Sequence, residues 1–339
     1  MVNGAPGSAW ASLRCDHNGQ TVERLLIGTP SNDDATPLDA DHLFDLASLT
    51  KVLTTVAALQ LVDAGIIDPD APVSEVLAVG RGPHAEQITL RQLLTHTSGL
   101  PADSGLWRQQ MAGEALRERL LRSRICSSPG LGHRYSDVGF VAVGEILEQV
   151  SGTTLEALID EVARSIGAES LTWNPDPMMA VATEDQPHRG PVRGEVHDEL
   201  AHALARPAGH AGLFGSLDDV ASLARMIRDG GAGIGGRVLS EDSIRLMSSP
   251  VTRAETGYGQ AVGLRVRDEA WMGDVDAIGH TGFTGTCFAV LPASGEFGVL
   301  LVNRVHPSRV DADIAAIRRD FVRGLVSRRE VGPGLETQT

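Results

Sequence analysis

The segment Leu43–Gly65 has the sequence LFDLASLTKVLTTVAALQLVDAG. From Ser48 onward its apolar residues recur every three to four positions, which predicts a helix over 48–64 that ends at Gly65. Ser48 and Lys51 stand at the start of this helix, so their side chains lie one turn apart on the same face. The start of a helix also offers free N–H groups and a positive potential to the Ser48 hydroxyl.

Ser48 and Lys51 form a candidate nucleophile and base. The chain contains 29 lysine and arginine residues, of which only Lys51 is a lysine. A serine hydroxyl is a weak nucleophile until a base takes its proton. A desolvated lysine with a lowered pKa can act as that base, whereas an arginine stays protonated. The alternative is a helix-capping serine followed by an exposed lysine.

Tyr135-Ser136-Asp137 is the second candidate segment. It follows a loop that contains glycine and proline, and it precedes a predicted helix that begins at Val138. A tyrosine in this place can face Lys51 and relay protons as a phenol or phenolate. The alternative is a half-buried structural tyrosine with a satisfied hydroxyl.

His280-Thr281-Gly282 is the third candidate segment, and it precedes a predicted strand. Gly282 allows the backbone to approach a ligand closely, and the following N–H, of Phe283, can point into a site. Paired with the Ser48 N–H, it would form an oxyanion hole. An ordinary glycine-rich turn is the alternative.

The remaining pattern places strands at both ends of the chain and helices between them. Asn18-Gly19 lies between two short apolar runs and predicts a β-hairpin of Trp10–Arg14 with Thr21–Ile27. Further strands are predicted at Ala261–Arg267, Thr286–Leu291 and Phe297–Asn303, and a terminal helix at Asp311–Val326. Helical patterns are found at Leu90–Leu94, Met111–Arg122, Val138–Val150, Thr154–Ile166, His197–Ala205 and Leu217–Arg228.

The simplest assembly of these elements is an α/β fold, in which helices cover one antiparallel sheet built from both termini and an all-helical subdomain is inserted. We expect residues 1–75 and 210–339 to form the discontinuous sheet domain. Residues 76–209 would form the mostly helical insertion, with the active-site cleft between the two parts.

Composition excludes several classes of function. The 339-residue chain carries a formal net charge of −15, which argues against a nucleic-acid partner and against an anionic membrane surface. No apolar run is long enough for a transmembrane helix, and the N-terminus has no signal-peptide pattern. Three scattered cysteines suggest reduced thiols rather than a disulfide framework. We therefore expect a cytoplasmic protein.

The three motifs occur in an order that resembles the serine β-lactamase-like superfamily, which comprises class C β-lactamases, penicillin-binding DD-peptidases and carboxylesterases of the Ser-x-x-Lys type. The resemblance covers nearly the whole chain, from about Trp10 to Val326. The stretches that carry it are LFDLASLTK at 43–51, LLTHTSGLP at 93–101, YSDVGF at 135–140, GHAGLF at 209–214 and HTGFTG at 280–285.

This resemblance implies a β-lactamase/transpeptidase-like fold and a role for each motif residue. Ser48 would be the acylated nucleophile and Lys51 its base partner. Tyr135 would pass the proton to the leaving group and later activate the acyl acceptor, while the N–H groups of Ser48 and Phe283 would hold the oxyanion. The mechanism requires no cofactor.

Two positions depart from the antibiotic-hydrolysing and peptidase members of the superfamily. His280 replaces a lysine whose fixed charge would bind a substrate carboxylate, and a histidine is largely neutral at pH 7. Asp137 replaces an asparagine, and an ionised aspartate cannot donate to a substrate amide carbonyl. Both changes favour the esterase and acyl-transfer branch.

Other residues are candidates for substrate contact or metal binding. Alongside Asp137, His280, Thr281 and Gly282, we expect His210 of the GHAGLF stretch and Trp107 to line the substrate pocket, with core packing as the alternative for Trp107. A metal site at His197, His202 and His210 is disfavoured, because their spacing fits no usual zinc site.

The sequence thus predicts a serine hydrolase that acts through an acyl-serine intermediate, most simply a carboxylesterase on a small-molecule ester or activated acyl substrate. A transacylase that uses an amine or alcohol as acceptor shares every acylation residue. The sequence is also compatible with a β-lactamase or D-amino-acid peptidase, and with a non-catalytic binding protein on the same fold. The oligomeric state does not follow from the sequence.

Overall fold

The computed structural model of the protein describes residues 7–252, 257–310 and 312–326. Its strands are β1 (Ala9–Cys15), β2 (Thr21–Gly28), β3 (Phe44–Asp45), β4 (Asp185–Gln186), β5 (Gly190–Pro191), β6 (Phe214–Gly215), β7 (Gly259–Gln260), β8 (Arg265–Val266), β9 (Ile278–Thr281), β10 (Cys287–Val290) and β11 (Phe297–Val302). Its α-helices are α1 (Thr50–Asp63), α2 (Leu90–Leu94), α3 (Gly113–Leu121), α4 (Asp137–Ser151), α5 (Leu155–Ile166), α6 (Glu199–Leu204), α7 (Leu217–Arg228), α8 (Glu241–Ser248), α9 (Glu269–Met272) and α10 (Ala315–Val326).

A seven-stranded antiparallel sheet built from both ends of the chain forms the centre of the fold. Its strand order is β2-β1-β11-β10-β9-β8-β7, so the N-terminal hairpin pairs directly with a C-terminal strand. Along β1 every second residue is buried, as the period of a strand requires. The predicted antiparallel sheet covered by helices is therefore confirmed, whereas the domain boundaries at 75/76 and 209/210 stay a prediction.

The predicted hairpin forms between β1 and β2. The Asp16 side chain accepts hydrogen bonds from the N–H groups of Asn18 and Gln20, at 2.9 and 2.8 Å. Gly19 has a φ of +75°, a conformation that glycine adopts without the steric cost of a side chain. This turn brings β2 back beside β1 as the edge strand.

Helices cover both faces of the sheet. Helix α7 packs against β1, β10 and β11, and α10 packs against β11 and α9. The hydrophobic core that contains the buried residues of α7 also includes residues of α1, α4 and α5, and these three helices contact one another. Eleven of the fourteen residues of α1 are buried, so the helix that begins beside Ser48 passes through the centre of the molecule.

Some predicted element boundaries were wrong. Of the strand predicted at Ala261–Arg267, only Arg265–Val266 (β8) is extended in the sheet. Its first residues form a tight turn, closed by the Ala261 N–H and the Leu264 carbonyl, that follows β7. Helix α10 begins at Ala315 rather than at Asp311, which lies outside the described residues. None of the helices in the described part of the chain is long and apolar enough to cross a membrane.

Candidate active site

Ser48 lies in a short 3-10 turn (Ala47–Leu49) that connects β3 to α1. Strand β3 pairs with β6, and the Leu46 N–H donates to the Leu213 carbonyl at 2.9 Å, so the stretch after His210 holds the chain just before the serine. Ala47 has a φ of +46°, a strained backbone conformation for a residue with a side chain. The turn leaves the Ser48 side chain half-buried, as a nucleophile that must meet a substrate requires.

The Lys51 ammonium lies directly beneath Ser48. Its Nζ donates to Ser48 Oγ at 3.0 Å and to the His210 carbonyl at 2.9 Å, and it forms an ion pair with Asp137 Oδ1 at 2.8 Å. The side chain is 1% exposed. The nucleophile and base predicted from the sequence are therefore brought together by one helical turn.

The charge state of Lys51 differs from the sequence-based expectation of a lowered pKa. Burial alone lowers the pKa of this ammonium, but Asp137 and Tyr135 outweigh burial and raise the pKa above its ordinary value. Lys51 is therefore charged in the resting enzyme at neutral pH. To accept the Ser48 proton, it must first give up one of its own, and the Asp137 carboxylate is in contact to take it.

Tyr135 is held against Lys51 by His96, a residue to which the sequence alone assigns no role. The His96 ring packs on the Tyr135 ring with centroids 4.2 Å apart, and His96 Nδ1 accepts from the Ser136 N–H at 3.0 Å. Burial, followed by the Lys51 charge, lowers the pKa of His96 well below its ordinary value. A neutral ring is what an accepting Nδ1 requires. The centre of the Tyr135 ring lies 5.0 Å from Lys51 Nζ.

Asp137 begins helix α4, directly after the capping residue Ser136. A helix N-terminus stabilises a carboxylate. The ion pair engages one oxygen of Asp137 with Lys51. The substrate contact predicted for Asp137 stays a prediction.

The segment after β9 is fixed against the backbone that precedes Ser48. Thr284 and Thr286 donate through their hydroxyls to the carbonyls of Asp45 and Leu46, at 2.7 and 3.2 Å. A Cβ on Gly282 would lie 2.6 Å from the Leu46 carbonyl oxygen, so only glycine permits this approach. Among the described residues, no backbone partner accepts from the N–H groups of Ser48 or Phe283. Both are free to bind an oxyanion.

Arg304 and His197 hold Phe283 in place. Arg304 donates through Nε to the Phe283 carbonyl at 2.7 Å, and its guanidinium lies 4.6 Å from the centre of the ring. The His197 ring stacks on Phe283 with centroids 5.7 Å apart. Although Phe283 is 48% exposed, the peptide that joins it to Thr284 is thus held in place. This peptide is next to the one that carries the Phe283 N–H.

His280 is buried near the Tyr135 ring, with centroids 6.1 Å apart. Burial, then the charges of Arg265 and Lys51, lowers the pKa of His280 well below its ordinary value. Its Nδ1 lies 2.9 Å from the Thr281 carbonyl oxygen, which only accepts. The proton is therefore on Nδ1 and Nε2 carries a free lone pair. His280 supplies no positive charge, as the sequence predicted.

A cation nevertheless lies close to His280. The Arg265 guanidinium is 5.3 Å from the centre of the Tyr135 ring and 4.7 Å from that of Tyr258, and it is paired with Asp268 at 2.9 Å. Its buried Nε has no hydrogen-bond partner in the described part of the chain. No sequence signal pointed to this residue, because Arg265 belongs to none of the three motifs and reaches the site only through the pairing of β8 with β9.

His210 and Trp107, which were also predicted to line the substrate pocket, lie in different parts of the structure. The His210 side chain is completely buried and its Nε2 lies 2.9 Å from Asp198 Oδ1. The backbone carbonyl of the same residue accepts from Lys51 Nζ, and the substrate contact predicted for His210 stays a prediction. Burial raises the pKa of Asp198, but His210 outweighs burial and holds that pKa below its usual value. Trp107 lies farther out, in a 3-10 turn (Leu106–Gln109).

Two histidines of the histidine-rich stretch contact acidic side chains. His197 Nε2 lies 2.9 Å from Glu184 Oε2, in the same way as His210 pairs with Asp198. Within 7–252, 257–310 and 312–326 no three histidine, cysteine or acidic side chains are grouped to hold a metal ion.

Comparison with known sequences and structures identifies the family and the fold of the chain. The sequence profile of the family described as Beta-lactamase matches residues 4–322 of the chain. The chain belongs to the β-lactamase family. It is 30% identical to a protein of Escherichia coli O157:H7 named putative D-alanyl-D-alanine carboxypeptidase, over 91% of this chain and 80% of that protein.

Solved structures show the fold of this β-lactamase-family chain independently. An octameric penicillin-binding protein homologue from Pyrococcus abyssi superimposes with a TM-score of 0.77 at 20% identity, over 96% of this chain and 74% of the other. EstCE1, described as a hydrolase with promiscuous acyltransferase activity, gives a TM-score of 0.72 at 22% identity over 93% of each chain. The predicted β-lactamase-like fold is confirmed, and the protein is a hydrolase of the serine β-lactamase family.

Proposed function

We propose that the protein hydrolyses small carboxylic esters through an acyl-Ser48 intermediate. The observation that carries the proposal is the half-buried Ser48 hydroxyl at 3.0 Å from Lys51 Nζ. The N–H groups of Ser48 and Phe283, which have no backbone acceptor among the described residues, are available for the oxyanion. Lys51, after passing one proton to Asp137, takes the Ser48 proton, and Ser48 Oγ attacks the ester carbonyl carbon while the C=O electron pair moves onto the carbonyl oxygen. Collapse of this intermediate breaks the bond to the alcohol, which leaves with a proton delivered through Tyr135. Water then attacks the acyl-enzyme, the bond to Ser48 Oγ breaks, Oγ regains a proton and the acid is released.

Two features favour an ester over an amide or a β-lactam. Asp137 is engaged with Lys51 and, as a carboxylate, offers no N–H to a substrate amide. His280 is neutral and so gives no fixed charge to a substrate carboxylate. An ester has a better leaving group than an amide and needs neither contact.

The experiment is release of p-nitrophenol from p-nitrophenyl acetate and butyrate by the wild type and by Ser48→Ala. Steady turnover that requires Ser48 supports the hydrolase. A burst followed by release of the acyl group only with added amine or alcohol would move the assignment to a transacylase. Turnover unchanged in Ser48→Ala would overturn the proposal.

Arg265 favours one second candidate, the hydrolysis of peptides with a free carboxylate, such as those that end in D-alanine. Its guanidinium supplies, beside Tyr135, the positive charge that His280 lacks. Arg265→Gln would then reduce turnover of a D-alanyl-D-alanine peptide while leaving p-nitrophenyl acetate turnover in place. Absence of peptide turnover in the wild type excludes this candidate.

A further inference from the structure

The peptide unit that carries the Phe283 N–H is held at its other end by Arg318, a residue of helix α10. Arg318 Nη2 donates to the Gly282 carbonyl at 2.9 Å and to the Thr286 carbonyl at 3.0 Å. The Gly282 carbonyl and the Phe283 N–H belong to one planar trans peptide, so they point in opposite directions. Fixing the carbonyl therefore also fixes the direction of the N–H that is assigned to the oxyanion hole.

This peptide lies against the residue that precedes the nucleophile. A Cβ built on Gly282 would lie 3.4 Å from the Ala47 Cβ and 2.6 Å from the Leu46 carbonyl oxygen. Ala47 begins the short turn that contains Ser48. Arg318 therefore holds a peptide that adjoins the nucleophile.

The Arg318 guanidinium is half-buried and has no acidic partner. Among the residues that the structure describes, no carboxylate lies within ion-pair distance of it, and its buried Nε has no hydrogen-bond partner. Its neighbour Cys287 is neutral, because burial raises the pKa of the thiol. Burial also lowers the pKa of Arg318, but a guanidinium stays protonated in a protein. A fixed, unpaired positive charge therefore lies behind the peptide of the oxyanion hole.

This unpaired charge is of use in the transition state. A charge removed from water costs free energy unless an opposite charge compensates for it, and the two carbonyl oxygens carry only partial negative charges. During ester cleavage an oxyanion forms at the N–H end of the peptide, and the guanidinium then has a full negative charge to stabilise. A cation at the carbonyl end also polarises the peptide and strengthens its N–H as a donor. The charge is in place before the reaction begins, as preorganised electrostatic stabilisation requires.

The local structure has other supports besides Arg318. The Thr286 carbonyl also accepts from the Gly282 N–H at 2.7 Å, and the Gly282 carbonyl accepts from the Gly285 N–H at 3.2 Å. The turn is therefore closed by backbone hydrogen bonds alone. Three residues of α10 are buried in the apolar cluster that this helix forms with the sheet: Phe321, Val322 and Leu325. The helix is thus attached to the sheet without the guanidinium.

We propose that Arg318 is a positioning residue for the oxyanion hole, which orients the Phe283 N–H through the Gly282 carbonyl and places a positive charge behind it. The inference rests on the acyl-Ser48 mechanism of the proposed function and applies to any acyl substrate of that mechanism. Arg318 would stabilise the oxyanion in the transition state and contribute little to binding of the uncharged ester.

The first test is steady-state hydrolysis of p-nitrophenyl acetate by Arg318→Met, which removes the donors and the charge, and by Arg318→Lys, which keeps a donor and the charge. We expect kcat of Arg318→Met to fall about 10- to 100-fold with KM within about threefold, because the oxyanion forms only after the ester is bound. Arg318→Lys should lose less. The matched control is Arg319→Met, since the neighbouring Arg319 donates to the Ala270 carbonyl at 2.7 Å and should keep the wild-type kcat. An unchanged kcat in Arg318→Met, equal losses in the methionine and lysine variants, or a change in KM alone would overturn the inference.

The second test separates positioning from a structural role and does not depend on turnover. Phenylboronic acid accepts an electron pair from Ser48 Oγ and becomes a tetrahedral anion, and its affinity is measured by titration calorimetry. We expect this affinity to fall about tenfold in Arg318→Met, while Tm stays unchanged or rises, because an unpaired cation is replaced by an apolar side chain. Unchanged boronate affinity, or a loss accompanied by a lower Tm, would overturn the inference. Failure of the proposed function is recognised separately, as an absence of Ser48-dependent ester turnover in the wild type.

Discussion

The half-buried Asp137 carboxylate lies 2.8 Å from the buried Lys51 ammonium, which in turn contacts the Ser48 hydroxyl. Burial lowers the pKa of Lys51, but Asp137 and, after it, Tyr135 outweigh burial and keep the lysine protonated. In the proposed mechanism the acid–base unit is therefore this lysine–carboxylate pair with Tyr135 next to it. Activation of Ser48 would then require a proton to move within the pair before or during attack.

Asp137→Asn tests this arrangement through the pH dependence of catalysis. Without the carboxylate, the largest effect that raises the pKa of Lys51 is lost. The pKa of Lys51 therefore falls, and Lys51 becomes deprotonated at lower pH. The rising limb of kcat/KM against pH should move to lower pH by about 1–3 units, because one opposite charge shifts the pKa of a neighbouring group by about that much. A pH–rate profile on p-nitrophenyl acetate measures this, and an unchanged rising limb contradicts the role of Asp137.

Lys51→Arg separates the charge of the lysine from its ability to release a proton. Arginine keeps the ion pair with Asp137 but does not deprotonate in a protein. We expect acylation of Ser48 to be abolished, measured as the burst of p-nitrophenol in stopped-flow experiments. Near-normal acylation would mean that Lys51 acts only as a fixed cation.

Tyr135→Phe tests the proton relay to the leaving group. Loss of a general acid–base group lowers the rate by about 10²–10⁴-fold. The matched control is Tyr258→Phe, which changes the only other tyrosine, whose ring also lies near Arg265. Steady-state kinetics should show the loss in the first variant alone, and a loss of less than about tenfold for Tyr135→Phe counts against the relay.

Arg304→Ala tests the support of the oxyanion hole. Arg304 binds the Phe283 carbonyl and packs on the Phe283 ring. Its removal should make this part of the backbone more mobile, so that the Phe283 N–H is less well placed to bind the oxyanion. We expect kcat to fall about tenfold, less than the loss on deleting an oxyanion donor outright, with little change in KM. Affinity for phenylboronic acid, which forms a tetrahedral adduct with the serine, should fall in parallel. The control is Arg245→Ala on the exposed face of α8, and unchanged boronate affinity in Arg304→Ala would show that Arg304 does not support the oxyanion hole.

The sequence predicted the parts of the site that depend on local spacing. Ser48 and Lys51 meet because they are three residues apart on a helix, and the Phe283 N–H follows from its place after Gly282. The pairing of β8 with β9, which brings Arg265 to the site, depends on long-range contacts that no local pattern records. The same is true of the short β3–β6 ladder that fixes the approach to Ser48.

The charge of Lys51 shows a second limit of prediction from the sequence. A buried lysine in isolation has a lowered pKa, which is the basis of the expectation from the sequence. The structure places Asp137 in contact with it and Tyr135 beside it, and these two neighbours together outweigh burial and raise the pKa of Lys51. His96 belongs to the LLTHTSGLP stretch, but its support of Tyr135 depends on the stacking of two rings that lie far apart in the sequence.

The most direct test of an acyl-Ser48 mechanism is the intact mass of the protein, quenched during turnover of p-nitrophenyl acetate, with the modified peptide located by fragmentation. We expect the mass of one added acetyl group, located on Ser48 and absent from Ser48→Ala. Acetylation of another residue, or the same added mass in Ser48→Ala, would contradict this mechanism.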